Sequence, residues 1–232
     1  MTDPTPPRNL CLFDLDGTLL PIDSDHAFGS FLVEQGWADP ETFCRGNDAF
    51  YRQYLEGRLD QDEYVAFATS AWRDRPLDDA LALRERYMQQ VLLPQVRPEA
   101  IALVQAHQAR GDLTAIVTAT SEFVTSPIAA AFGVPHLLAV RLERSPDGRY
   151  TGRISGTPTF QSGKVVRVHE WLHGLGYRLD DFERISVYSD SPNDLPLLEL
   201  ATDPVATNPS HALEALAIER GWRVLRLFSS AP

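Results

Sequence analysis

Two carboxylates one residue apart, Asp14 and Asp16, close the apolar run at residues 10–13 and are followed by Gly17-Thr18. An apolar run of this kind reads as a buried strand, which puts Asp14 at the strand's carboxyl end, where open parallel α/β sheets hold their ligands. If Gly17 turns the chain, both acids approach one point from different directions. One can then attack while the other handles a proton or lends its backbone carbonyl to a metal. Acids after strands also cap turns, but the pairing with Gly-Thr behind it favours chemistry.

Three further places carry suitable groups. Thr118, with Ala119 beside it, closes a second β-branched run at 113–117, so its hydroxyl again lies at a strand end. Thr120 or Ser121 is better placed to cap the helix that follows, which leaves Thr118 free. Lys164 is the only lysine among 21 basic residues, all others being Arg. A compact ammonium near a helix start is badly placed against the helix dipole unless an anion sits there too. Asp190 and Asp194 straddle a loop, Ser189-Asp190-Ser191-Pro192-Asn193-Asp194, between a strand and a helix. Hard oxygen ligands with open positions suit Mg²⁺, although the same residue types make an N-capping box.

Elements must bring these places together. The pattern predicts helices over 26–35, 40–56, 60–73 and 77–92, with Ser24 or Asp25 as the first N-cap, and no strand between 21 and 94. From Pro98 onward it predicts helix 98–110, strand 113–117, helix 122–132 and strand 137–142. A turn at Pro146-Asp147-Gly148 then returns the chain through 150–154 as a hairpin. Helix 163–175, strand 185–188, helix 194–201, a short strand at 205–206, helix 210–220 and strand 222–227 complete the chain. The βα alternation implies a mostly parallel sheet with right-handed crossovers, and the early helices read as an insert.

Composition narrows the function classes. The 232 residues suffice for a core with an inserted smaller domain, and 44% apolar with 23% charged residues is ordinary for a globular protein. A net charge of −11 argues against nucleic acid and against an anionic membrane surface as partners. A phosphate site would have to be locally positive, built from a metal, backbone N–H groups and a few chosen cations. Residues 1–7 are Pro-rich, lack the basic and apolar regions of a signal peptide, and read as a short disordered lead-in. Cys11 falls in the first strand and Cys44 among the helices, which points to free thiols and a cytoplasmic location. His107, His136, His169, His173 and His211 show no metal spacing.

The stretch Asp14-Leu15-Asp16-Gly17-Thr18 resembles the signature of the haloacid dehalogenase superfamily, most of whose members are phosphatases. Thr118, Lys164 and the 189–198 run are similar to its second, third and fourth motifs. The run Asn193-Asp194-Leu195-Pro196-Leu197-Leu198, and an insert between the first and second motifs, resemble the phosphoserine phosphatase-like subfamily. The resemblance implies a three-layer, Rossmann-like α/β core of residues 1–20 and 96–232 with a four-helix cap at 21–95. It also implies Mg²⁺-dependent hydrolysis of a small phosphorylated metabolite. In that scheme Asp14 attacks phosphorus to form an aspartyl-phosphate, and Asp16 protonates the leaving alcohol and then activates water. Thr118, Ala119, Lys164 and Asn193 bind the phosphoryl group. Asp14, the Asp16 carbonyl and Asp190 hold the metal, with Thr18 and Asp194 in support. Ser189 stands where most members have Gly, a departure expected to be harmless.

Substrate choice is expected to lie in the cap. Subfamily members use an acid just beyond the catalytic loop for a substrate amine and a cap Arg for a carboxylate. Asp25 is the candidate acid, near Asp23 and His26, and Arg45, Arg52 and Arg58 are the candidate cations. An amine-bearing monoester is expected, with histidinol phosphate slightly ahead of phosphoserine because its ring could stack on Phe28, Phe43 or Tyr51. A mutase or phosphotransferase using the same residues, and a sugar-phosphate phosphatase, are the alternatives. Asp16 argues against a dehalogenase, the absence of a cap Lys against a phosphonatase, and the full set of acids against a silent binding protein. The sequence does not distinguish a monomer from a homodimer.

Overall fold

Strict alternation along β1 (Asn9–Phe13) divides the molecule into layers, as seen in a computed structural model describing residues 7–228. Cys11 and Phe13 enter one apolar cluster, and Leu10 and Leu12 enter another on the opposite face of the sheet. All four are buried to within 1%. A fully buried Leu or Phe contributes about 2 kcal/mol, so this strand is a major source of stability. The proline-rich lead-in at residues 1–6 lies outside the described residues.

The main sheet has six parallel strands in the order β3-β2-β1-β6-β7-β8. They are β1, β2 (Leu113–Ser121), β3 (His136–Val140), β6 (Arg184–Ser189), β7 (Asp203–Thr207) and β8 (Arg223–Leu225). From β1 the chain winds outward through β2 and β3, then returns to β1's other edge at β6. β1 is therefore the switch point of the sheet, where a crevice opens at the strands' carboxyl ends. Helices α7 (Ser162–Gly174), α8 (Leu195–Leu198) and α9 (His211–Glu219) pack on the Leu10 side. Helices α5 (Pro98–Ala109) and α6 (Glu122–Ala131) pack on the Phe13 side. This is the expected three-layer α/β architecture.

Between β1 and α5 lie only helices: α1 (Ser24–Glu34), α2 (Pro40–Leu55), α3 (Gln61–Ser70) and α4 (Leu77–Tyr87). The helix expected over 77–92 does run to Leu92, but its last turn is not α. Pro94 lacks the N–H that would continue the ladder, and the backbone widens into a π-turn over Met88–Leu92 before it. The N-cap of α1 is Asp23, not Ser24 or Asp25. Its carboxylate accepts from the N–H groups of Asp25 and His26 at 3.1 and 2.7 Å. The run expected as a strand over 137–142 divides at Arg141 between β3 and a separate antiparallel hairpin, β4 (Leu142–Arg144) with β5 (Tyr150–Ile154).

The hairpin and α6 anchor the insert. Trp72, just past α3, stacks on Phe123 with ring centroids 4.0 Å apart and meets the Tyr150 ring edge-on at 5.1 Å. From α4, the Arg84 guanidinium lies over the Phe123 ring and donates to the Phe123 carbonyl at 3.0 Å. Phe28 and Phe43, expected to offer faces to a ligand, instead fill the apolar interior. Phe28 packs on Tyr87 and Phe123, and Phe43 stacks on Phe67.

Candidate active site

Three adjacent strand ends converge on one point. Asp14 follows β1, Thr118 lies in the carboxyl-terminal half of β2, and Asp190 follows β6. The Asp14 N–H donates to the Tyr188 carbonyl at 2.9 Å, which continues the β1–β6 ladder and fixes where the Asp14 carboxylate emerges. Gly17 then turns at φ +78°, and a Cβ there would collide with the Asp190 carboxylate. Only glycine lets the first loop approach Asp190 this closely. Thr18 Oγ1 lies 3.2 Å from an oxygen of both Asp14 and Asp190.

Lys164 is buried, with 1% exposure, and its Nζ donates at 2.7 Å to both Asp14 and Asp194. Burial favours loss of its proton, but the flanking Asp14 and Asp194 carboxylates outweigh that and raise its pKa. The neighbouring Gly163 is required because a Cβ would strike the Pro158 carbonyl. Asp194 also accepts from Ser189 Oγ at 2.8 Å, so the serine at 189 braces the acid that holds the lysine. Burial raises Asp194 to about 6 in spite of Lys164. Burial, then Asp14 and Asp194, push Asp190 well above the usual carboxylate range.

Asp16 is held at both oxygens, by the Ser24 N–H at 2.8 Å and by Thr120 Oγ1 at 2.9 Å. Burial, with Asp23 close by, raises it to about 8, the protonated form in which a carboxyl can donate. Thr120 was expected only as a helix cap. The strand runs on to Ser121 through a register shift after Val117, and this keeps Thr118 and Thr120 on the side of the acids. Thr118 and Ala119 both line the cavity.

Asp23 and Asp25 stand over Asp16 in the same cavity. Burial raises them to about 6 and about 7, with the Tyr64 hydroxyl partly offsetting the shift at Asp25. The insert forms the remaining wall through Phe50, Tyr51, Tyr54, Leu59, Gln61 and Tyr64. His26 lines the rim, 2.8 Å from Asp48 and 4.8 Å from the Tyr51 ring. Of the ring residues expected to face a ligand, Tyr51 does. Between the insert and the strand ends lies a small cleft, with about 30 Å³ of space for water-sized molecules.

Asn193 and the candidate arginines are placed differently from the sequence expectation. The Asn193 amide nitrogen donates to the Tyr54 carbonyl at 2.8 Å, so it reaches the insert rather than the cavity. Asn47, Tyr51 and Tyr54 share the inner face of α2, and the opposite face carries Arg45 and Arg52. Arg45 pairs with Glu41 at 3.3 Å, Arg52 bonds the Asp48 carbonyl, and Arg58 pairs with Glu56, all at the surface. No Arg lines the cavity among the described residues. Phe50, Tyr54, Gln61, Tyr64 and Thr120 escaped sequence reading. Helical periodicity could have found the first two, once Tyr51 was taken as inward.

A metal is compatible with the floor. No three His, Cys, Asp or Glu side chains converge on one point among the described residues. The Asp14 and Asp190 carboxylates are hard oxygen donors close to each other, and their mutual repulsion is what a divalent ion relieves. No helix among the described residues is long and apolar enough to cross a membrane.

Residues 11–199 match the haloacid dehalogenase-like hydrolase family. The chain is 39% identical over 218 residues to a histidinol-phosphatase of Neisseria meningitidis serogroup C (strain 8013), covering 94% of this chain and 98% of that protein. It is 29% identical over 229 residues to a phosphoserine phosphatase of Mycobacterium tuberculosis (strain ATCC 25618 / H37Rv), covering 96% and 73%. A crystal structure of a Bordetella pertussis Tohama I protein of unknown function aligns with a TM-score of 0.90 at 48% identity, covering 96% of this chain and all of that one. A substrate-bound phosphoserine phosphatase shares the fold, with a TM-score of 0.67 at 17% identity over 95% and 93% of the two chains.

Proposed function

The chain belongs to the haloacid dehalogenase-like hydrolase family, within which it is a phosphatase, and we propose that its substrate is a small amine-bearing phosphate monoester, histidinol phosphate ahead of phosphoserine. The observation that carries this reading is the cavity's lining. Asp23 and Asp25 stand above the catalytic floor beside aromatic rings, and among the described residues no Arg lines the cavity to receive a carboxylate. Such a wall suits an ammonium and a flat ring. The similarity to a protein named histidinol-phosphatase supports the same choice.

The site's own residues supply the steps. An Asp14 oxygen attacks phosphorus, the bond from phosphorus to the substrate's alcohol oxygen breaks, and Asp16 gives its proton to that oxygen. Asp16, now a carboxylate, takes a proton from water as the water oxygen attacks the aspartyl-phosphate. Inorganic phosphate leaves and the Asp14 carboxylate is restored. Lys164, Thr118 and the Ala119 N–H stabilise the phosphoryl oxygens, while Thr18 and Asp194 orient the acids. Asp14, the Asp16 carbonyl and Asp190 would hold Mg²⁺, which lets a carboxylate approach a phosphate dianion. In this scheme the helices of 21–95 act as a cap on a core of 1–20 and 96–232. The free thiols Cys11 and Cys44 suit a reducing, cytoplasmic compartment.

The test compares kcat/KM for histidinol phosphate, phosphoserine and a sugar phosphate, with and without Mg²⁺. The expected order follows that sequence, with activity lost on chelation. A preference for the sugar phosphate would overturn the amine reading while leaving the phosphatase chemistry in place. Retention of the phosphoryl group until an alcohol returns would instead identify a phosphotransferase.

A further inference from the structure

Gln61 opens α3 and lines the cavity with only 7% of its surface exposed, and neither its Oε1 nor its Nε2 has a hydrogen-bond partner. A buried carboxamide left unpaired at both ends is destabilising, and native proteins keep such groups rarely and for a reason. The other amide of this wall is bonded through its nitrogen, Asn47 Nδ2 donating to the His26 carbonyl at 2.9 Å. Gln61 is the side chain of the cavity lining with both polar atoms buried and free.

The charge inventory defines what Gln61 could meet. Asp23 and Asp25 already provide carboxylates for an ammonium. A carboxamide adds no charge at any pH, but offers one acceptor and two donor hydrogens. It therefore matches a neutral group that donates or accepts. A neutral imidazole has one nitrogen of each kind, and Gln61 can serve whichever nitrogen reaches it: Oε1 accepts from a ring N–H, and Nε2 donates to a bare ring nitrogen. The neighbouring Phe50, Tyr54 and Leu59 supply apolar surface for a flat ring.

We infer that Gln61 is a specificity-determining residue that hydrogen-bonds a nitrogen heterocycle carried by the substrate, an inference that rests on the amine-bearing reading above. The experiment replaces Gln61 by Met, which keeps the length and removes both polar atoms. Values of kcat and KM are measured for histidinol phosphate, for phosphoethanolamine (an amine without a ring) and for an aryl phosphate (neither amine nor imidazole). For histidinol phosphate, kcat/KM should fall about tenfold or more, mainly through KM. The other two substrates should stay within about threefold, and the thermal midpoint should hold or rise because an unpaired buried amide is gone. An equal fall for all three would make Gln61 structural, and no fall for histidinol phosphate would remove it from recognition; either overturns the inference alone. A wild-type enzyme with no preference for histidinol phosphate over phosphoethanolamine would overturn the substrate reading and the inference together.

Discussion

The Asn193 amide nitrogen donates to the Tyr54 backbone carbonyl at 2.8 Å, tying the loop after β6 to the last turn of α2. A second tie runs beside it, from Gln161 Nε2 to the Gly57 carbonyl at 2.8 Å. Gly57 turns there at φ +69°, and a Cβ would come within 3.0 Å of Asn193 Oδ1. Gln161 lies three positions before Lys164, and Asn193 is next to Asp194. These two ties hold the insert against the segments that carry Lys164 and Asp194, so substrate entry should loosen them.

Asn193→Ala should therefore weaken closure without touching the floor. Each hydrogen bond is worth about 1 kcal/mol net, so kcat/KM should fall about fivefold to tenfold, to a similar extent for all substrates. Limited proteolysis between Tyr54 and Asp60 should speed up. A variant that discriminates among substrates would mean Asn193 contacts them directly.

Asp14→Asn tests the nucleophile. The amide matches the shape of the carboxylate and keeps an oxygen that can accept from Lys164, so the fold should persist. Turnover should be lost essentially completely, because an amide cannot form the acyl phosphate. Wild-type turnover with Mg²⁺ present would refute the mechanism.

Much of this site was legible in sequence because its parts are short-range. Asp14 and Asp190 each end an apolar run, and a parallel sheet brings such ends together. Lys164 was conspicuous as the only lysine, and its place was legible from the helix start. The cavity wall was not legible, because a helix's sequence does not say which face meets a neighbour when both faces mix aromatic and charged residues. On α2 the inner face carries Asn47, Tyr51 and Tyr54, so Arg45 points to solvent. Thr120 was hidden by a strand that continues through a register shift beyond its apolar run. Ser189, read as a harmless departure, supports Asp194.

Lys164→Arg keeps the charge and changes its shape. The ammonium sits fully buried between two carboxylates at 2.7 Å, and a planar fork needs more room than that geometry leaves. Turnover should fall about tenfold or more, roughly 1.4 kcal/mol of lost transition-state stabilisation. Thermal stability should fall as well, because the guanidinium must displace packed neighbours. Unchanged kinetics would remove Lys164 from the phosphoryl site.

Asp25 sets a pH dependence that separates substrates. Burial raises its pKa in the empty site to about 7, above its ordinary value, so the folded state holds a proton that the unfolded chain has already lost. Its contribution to folding is therefore present below about pH 4 and declines as pH rises through about 7. Asp25→Asn should raise the thermal midpoint of the ligand-free protein at pH 8 and change it little at pH 4. Binding runs the other way, since only the carboxylate attracts an ammonium. The KM for an amine-bearing substrate should drop as pH rises through about 7, relative to an aryl phosphate of the same phosphate ionisation. Dividing one profile by the other cancels the titration of the phosphate and of the catalytic floor, and Asp25→Asn should flatten the ratio. A ratio independent of pH in the wild type would exclude Asp25 as the partner of the amine.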